Sequence, residues 1–137
     1  MNRNDLQRLA GIRIREAKTL FRAGEFSGAY YLAGYAVECA LKACIARKTL
    51  RFDFPDKLRV MQSHTHNQRE LLRLAGLNDE LDAAKKASRN FAGGWDEVGK
   101  WTEESRYSTW TRSDAEAILD AITERKDGVL PWIKHYW

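Results

Sequence analysis

Residues 26–47 read FSGAYYLAGYAVECALKACIAR, a stretch in which apolar and small side chains recur with helical spacing. The recurring positions are Phe26, Ala29, Ala33, Ala36, Val37, Ala40, Leu41 and Cys44. This periodicity predicts one long helix that is buried on most sides, and it does not fit a strand. Because glycine and alanine are frequent in the stretch, the backbones of neighbouring helices can approach it closely.

Further helical stretches lie on both sides of this one. An amphipathic stretch over residues 5–23 ends at Gly24, and its short connection to the buried helix predicts an antiparallel pair. Three later stretches are expected at residues 66–74, 78–91 and 113–126, with Gly93 and Gly94 ending the second of them. We therefore predict a single all-α domain over residues 1–137, an up-and-down helical bundle of about five helices.

A family resemblance rests on the buried helix and on two later motifs. Residues 23–43, AGEFSGAYYLAGYAVECALKA, resemble the second helix of the HEPN family of small helical proteins, with its pattern A-x-Y-x-x-x-x-A-V-E-x-x-L-K-A. A histidine and asparagine, His66 and Asn67, precede a short leucine-bearing helix, and S-R-Y-S at residues 105–108 precedes the last helix, as in that family. The resemblance spans nearly the whole chain.

The resemblance also implies partners. It implies a homodimer with a cleft between the subunits near Arg106. Members of the family often act with a small nucleotidyltransferase of the MNT type in toxin–antitoxin or defence pairs. We therefore expect a protein that binds RNA, a nucleotide or such a partner nucleotidyltransferase. A structural, dimeric interaction module without a ligand is a further alternative.

Catalytic members of the family use an Arg-x(4–6)-His motif at the start of the last long helix for metal-independent RNA cleavage. Arg106 matches the arginine of this motif, but no histidine follows it at those spacings. We therefore expect the usual ribonuclease motif to be absent. The alternative is an RNA endonuclease toxin that uses Arg106 with a relocated histidine. The candidates are His64, which follows Arg59 at the Arg-x4-His spacing, His66 and His135.

Basic side chains form a stripe on the first helix. Arg8, Arg15 and Arg22 recur every seven residues, and Lys18 lies beside the last two. Such a stripe can contact successive phosphates, or it can be a solvated face whose aliphatic stems cover apolar surface. The predicted RNA-binding or nucleotide-binding residues are Arg8, Arg15, Lys18, Arg22, Lys42, Arg106 and Tyr107.

Aromatic side chains are the candidates for contact with a partner or a second subunit. Tyr31 and Tyr35 are four residues apart, beside Glu38 and Lys42, whose spacing favours a helical ion pair. These tyrosines line a groove or a subunit contact, or they are half-buried beside a surface ion pair. Large rings such as the three tryptophans can instead complete a core or stack on a base. The predicted partner or dimer contacts are Tyr31, Tyr35, Trp95, Trp101 and Trp110.

Composition limits the other function classes. The net charge of +4 permits a phosphate-rich partner without requiring one. Two cysteines and no signal-like start predict a reducing, cytoplasmic location, and charged residues interrupt the best candidate for a membrane span. His64 and His66 form a His-x-His without an evident third ligand, and no cofactor motif occurs. We therefore expect no metal and no cofactor.

Overall fold

The computed structural model describes residues 1–49, 54 and 57–137. In these ranges the chain forms eight α-helices and one 3₁₀ helix, without a strand. The α-helices are α1 Arg3–Arg22, α2 Phe26–Lys48, α3 Lys57–Gln62, α4 Gln68–Leu74, α5 Asn78–Ala87, α6 Arg89–Gly99, α7 Arg112–Thr123 and α8 Val129–Ile133. The 3₁₀ helix is Glu103–Tyr107, between α6 and α7. The all-α prediction is confirmed, although the helices outnumber the predicted five.

Helices α1 and α2 form the predicted hairpin. Gly24 connects them with φ +80°, a conformation that other residues rarely adopt. The face of α1 that packs on α2 is a stripe of small and branched side chains, Ala10, Ile14 and Ala17, at helical spacing. The helix begins two residues earlier than predicted because Asn2 caps it: its side-chain oxygen accepts from the backbone N–H of Asp5.

Helix α2 is the centre of the bundle and packs against α1, α4, α7, α8 and the 3₁₀ helix. Its buried residues are Ala29, Tyr30, Ala33, Gly34, Ala36, Val37, Glu38, Cys39, Ala40, Leu41, Ala43, Cys44 and Ile45. Five of these are alanines, so neighbouring helices pack close to the backbone on several sides. In the described ranges, no helix combines the length and the hydrophobicity needed to cross a bilayer.

The prediction that Gly93 and Gly94 end a helix is wrong. The break lies earlier, at Ser88, whose extended backbone ends α5 and whose hydroxyl caps α6 by accepting from the N–H of Phe91. The same hydroxyl donates to Asp127 at 3.0 Å. Both glycines lie inside α6, where Gly94 faces the backbone of Ala121 in α7. The side-chain cap at Ser88 explains the position of the break.

The aromatic C-terminal segment docks on the bundle. Val129, Leu130 and Ile133 of α8 are buried, and the ring of Trp132 packs on the ring of Phe91 with centroids 5.2 Å apart. The guanidinium of Arg3 donates to the carbonyl of Trp137 at 2.9 Å and joins the two ends of the described chain. This segment therefore completes the core of the bundle.

Candidate functional site

Glu38, in the middle of α2, is the most deeply buried charged side chain of the described ranges, with 1% of its surface exposed. One carboxylate oxygen, Oε1, accepts from Lys42 Nζ at 2.9 Å, as the sequence spacing predicted. The same oxygen lies 2.9 Å from Nδ1 of His66. A buried carboxylate needs such partners because losing water is costly for a charge. Its second oxygen, Oε2, has no hydrogen-bond partner among the described residues.

The other ring nitrogen of His66 points towards the 3₁₀ helix. Nε2 lies 3.6 Å from Oε1 of Glu103, and the guanidinium of Arg106 lies 3.4 Å from the same oxygen. The chain Lys42–Glu38–His66–Glu103–Arg106 therefore joins α2, the segment before α4 and the 3₁₀ helix. Since Nδ1 faces an acceptor, the proton of a neutral His66 belongs on Nδ1, and its Nε2 then carries the lone pair.

Gly34 is the residue that sets the distance between these elements. A Cβ placed there would lie 2.2 to 2.4 Å from ring atoms of Trp101, so only glycine leaves room for the indole. The indole N–H donates to the carbonyl of Tyr31 at 3.1 Å, and the side-chain amide of Gln68 donates to the carbonyl of Gly34 at 3.1 Å. Trp101 precedes the 3₁₀ helix and Gln68 begins α4. The two segments that carry the site, α4 and the 3₁₀ helix, are therefore both hydrogen-bonded to one turn of α2.

Arg106 lies on the surface beside two tyrosines. Its guanidinium is 4.8 Å from the ring centroid of Tyr107, and 73% of Tyr107 is exposed. Desolvation lowers the pKa of Arg106, but polar contacts with the hydroxyls of Tyr107 and Tyr31 and the charge of Glu103 raise it above its usual value overall. The guanidinium therefore remains charged, and it reaches solvent next to an exposed aromatic face.

A groove of about 540 Å³, which we call the His66 groove, opens between the start of α4 and the end of α6. It is lined by Thr65, His66, Asn67, Gln68, Arg69, Trp95, Gly99, Trp101, Thr102, Glu103 and Glu104. Its volume is in the range of sites for small molecules, and its walls combine hydrogen-bond donors with carboxylates. Arg106 reaches the rim of the groove through its ion pair with Glu103.

His64, which the Arg-x4-His spacing favours, does not line the His66 groove. His64 is exposed and lines a second groove with Lys42 and Tyr35, a groove that His66 does not line. In the described ranges, neither His64 nor His135 shares a hydrogen bond or ion pair with Arg106. The side chain of Arg59, which completes the Arg-x4-His spacing, lies outside the described residues. His66 is therefore the histidine that the fold connects to Arg106.

The basic stripe and the catalytic candidates are on separate surfaces. Arg8, Arg15, Lys18 and Arg22 are exposed on α1, which does not line the His66 groove, and Arg8 pairs with Asp5 at 3.1 Å. Lys42 is held on Glu38 and lines the second groove. A ligand in the His66 groove would therefore lie next to Arg106 and not next to the basic stripe of α1.

The five aromatic candidates for partner contact divide into two groups. Trp95 and Trp101 are only 5% and 4% exposed, so they are core side chains and offer little surface to a partner. Trp110 stacks on the buried ring of Tyr30 at 3.8 Å between centroids. Tyr31 and Tyr35 are half-buried and stack with centroids 6.2 Å apart, and Tyr31 also stacks on Trp101. Tyr31, Tyr35 and Trp110 therefore remain partly exposed, whereas Trp95 and Trp101 do not.

Among the described residues, the cysteines and the acidic side chains form no second site. Burial raises the pKa of Cys39 and of Cys44 to about 11, which keeps both thiols protonated and poorly nucleophilic at neutral pH. Within the part of the chain that the structure describes, no group of three or more His, Cys, Asp or Glu side chains is arranged to hold a metal ion.

The model of the HEPN domain family matches residues 4–125. The chain belongs to the HEPN family. The resemblance seen in residues 23–43 is thereby confirmed, and the HEPN match extends from α1 to just past α7. No curated protein and no solved structure matches the chain.

The contacts of two members of the candidate site, Glu38 and Glu103, were predicted only in part from the sequence. Glu38 was predicted as the partner of Lys42, and the three-residue spacing of Glu103 and Arg106 permits their ion pair, but the contacts of both carboxylates with His66 were not predicted. The second contact of Glu38 could have been expected, because a glutamate in an otherwise buried helix needs polar partners from other parts of the fold. No pattern in the sequence places Glu103 opposite His66.

Proposed function

We propose that this HEPN protein binds RNA or a nucleotide at the His66 groove, through its phosphate and ribose. The observation that carries the proposal is that His66 and Arg106 converge on one oxygen of Glu103 at the rim of the groove. About two fifths of each side chain is exposed, so a ligand can reach both. The exposed ring of Tyr107 beside Arg106 supports stacking of a base next to the phosphate contact.

The test is binding of a labelled single-stranded RNA, measured by fluorescence anisotropy at two salt concentrations. Arg106→Ala and His66→Ala should each weaken binding by about tenfold, since each removes a contact to phosphate or ribose. Arg125→Ala is the matched control, because Arg125 is exposed and does not line the groove. Equal losses for the two arginine variants would mean that only the overall charge attracts RNA, and the proposal would fail.

RNA cleavage is a second candidate, favoured by the contact between Glu38 and His66. A carboxylate on Nδ1 orients the ring and leaves Nε2 to take the proton of a ribose 2′-hydroxyl. The 2′-oxygen would then attack phosphorus as the bond to the 5′-oxygen breaks, which gives a 2′,3′-cyclic phosphate. The leaving 5′-oxygen would take a proton from water, and Arg106 would stabilise the charge on the phosphate oxygens. His66 would then take the role of the motif histidine that this chain lacks after Arg106.

Cleavage of total RNA in EDTA distinguishes binding from catalysis. If the chain is a ribonuclease, cleavage should disappear in His66→Ala and Arg106→Ala and persist in His64→Ala. Cleavage that needs His64 but not His66 would contradict this assignment of the histidine. RNA binding without cleavage would leave a non-catalytic HEPN protein.

We also propose that the chain forms a homodimer and pairs with an MNT-type nucleotidyltransferase in a toxin–antitoxin or defence setting. The support is HEPN family membership and the half-exposed face of Tyr31 and Tyr35. Light scattering of the purified protein gives the subunit number, and co-purification with a candidate nucleotidyltransferase tests the pairing. A dimer that binds neither RNA nor nucleotide would instead favour a structural interaction module.

A further inference from the structure

Glu103 occupies the point where His66 and Arg106 meet. Its Oε1 is 3.6 Å from the histidine and 3.4 Å from the guanidinium, whereas Glu38 holds its two partners at 2.9 Å. Close charge-assisted hydrogen bonds are typically about 2.7–2.9 Å long. Glu103 is therefore held loosely, and 36% of its side chain is exposed to solvent.

We propose that His66 and Arg106 form a subsite for a phosphoryl group, and that the Glu103 carboxylate occupies this subsite as an internal competitor. The inference rests on the proposed binding of RNA or nucleotide and adds a regulation of that same site. A phosphate carries more charge and more acceptor oxygens than a carboxylate, so it can engage both side chains at once. Binding then requires Glu103 to turn away.

The local structure allows Glu103 to leave without unfolding. The backbone of the 3₁₀ helix is fixed on both sides, because the indole of Trp101 donates to Tyr31 and the indole of Trp110 donates to the carbonyl of Ser105 at 2.9 Å. Thr102 also donates from its backbone N–H to the Ser105 hydroxyl. Only the glutamate side chain has to rotate, and it already borders the solvent-filled groove.

His66 keeps its place when Glu103 leaves. Its Nδ1 stays on the buried carboxylate of Glu38, which Lys42 holds from the other side. The subsite therefore has the His66 ring on one side, whose Nε2 donates when both ring nitrogens carry a proton. It has a charged guanidinium on the other side and one movable anion between them. Glu104, the next residue, also lines the groove but has no ion pair with any residue of the described ranges.

Glu104→Gln is consequently the matched control for Glu103→Gln. Both substitutions remove one negative charge from the same groove, but only Glu103→Gln removes the competitor. With 5′-AMP and inorganic pyrophosphate as probes in calorimetry, Glu103→Gln should bind about tenfold more tightly than the unaltered protein. Glu104→Gln should change affinity by less than about threefold, in line with a solvent-screened charge.

Equal gains in the two variants would overturn the inference, because they would reflect the general charge of the groove. Failure of all variants to bind either probe would overturn it as well. If Glu103→Gln has no effect while RNA binding still depends on Arg106, the inference fails and the proposed function stands. If RNA binding is indifferent to Arg106, the proposed function itself fails. Circular dichroism of both variants checks that the bundle is intact.

Discussion

The substitution Gly34→Ala adds one methyl group at the point where α2 meets Trp101. The new Cβ would lie 2.2 to 2.4 Å from three ring atoms of the indole, well inside the closest approach of two carbons. The backbone of a buried central helix cannot retreat, so the tryptophan must move. Its hydrogen bond to the carbonyl of Tyr31 and its stacking on the Tyr31 ring would then be lost.

The size of the effect follows from four contributions. Overpacking of a core costs about 1–3 kcal/mol. The lost hydrogen bond costs about 1 kcal/mol and the lost aromatic contact about 1 kcal/mol. Against these, alanine is about 1 kcal/mol better than glycine inside a helix. The free energy of unfolding should therefore fall by about 2–4 kcal/mol for Gly34→Ala.

Urea denaturation followed by circular dichroism measures this loss. Gly93→Ala is the matched control: it is the same substitution inside α6, where a Cβ would meet nothing within 4 Å, so it should stabilise by up to about 1 kcal/mol. In a Trp101→Leu background the penalty at Gly34 should shrink, because the ring that clashes is gone. The reasoning is refuted if Gly34→Ala is as stable as the unaltered protein, or if its cost is the same in both backgrounds.

Three further predictions concern the interior of α2. Burial, with smaller effects from nearby charges, raises the pKa of Tyr30 to about 12 from 10.0, and of Cys39 and Cys44 to about 11 from 9.0. The unfolded chain loses these protons first, so their contribution to stability should be constant below about pH 8. Stability should then fall by about 2–3 kcal/mol per group as pH rises to about 12, measured by urea denaturation at each pH. Tyr30→Phe keeps the ring stacked on Trp110 and removes a buried hydroxyl without a described partner. It should leave stability at pH 7 unchanged or raise it by about 1 kcal/mol, and reduce the loss above pH 10; a clear loss at pH 7 would contradict this. Glu38→Gln should cost about 1–2 kcal/mol in the same assay, because Lys42 and His66 are partly exposed and can reach water, and no loss would show that the two contacts add nothing.

The helical fold was predictable because it follows from local patterns. The alternation of small and apolar residues in residues 26–47 indicates a buried helix, and Gly24 indicates the turn before it. The break at Ser88 was missed because two competing signals, a capping serine and a pair of glycines, lie close together. The Ser88 hydroxyl caps α6 and also donates to Asp127, a contact 39 residues away that the local sequence does not report.

The candidate site was predictable only in part. Arg106 was found by family resemblance, and the pair of Glu38 and Lys42 by helical spacing. The link through His66 and Glu103 depends on how α4 and the 3₁₀ helix sit on Gly34, which is a property of tertiary packing. If α4 or the 3₁₀ helix were shifted by one residue along α2, His66 and Arg106 would separate. The periodicity of the sequence does not determine this position.

The most direct test of the central claim is nuclear magnetic resonance of the histidine rings during titration with single-stranded RNA. The sequence holds three histidines, His64, His66 and His135, so each ring can be assigned by substitution. We expect the His66 resonances to shift saturably with RNA, those of His135 not to respond, and Arg106→Ala to abolish the shift. Saturable binding that leaves the His66 ring unchanged would contradict it, because the RNA would then occupy a surface other than the His66 groove.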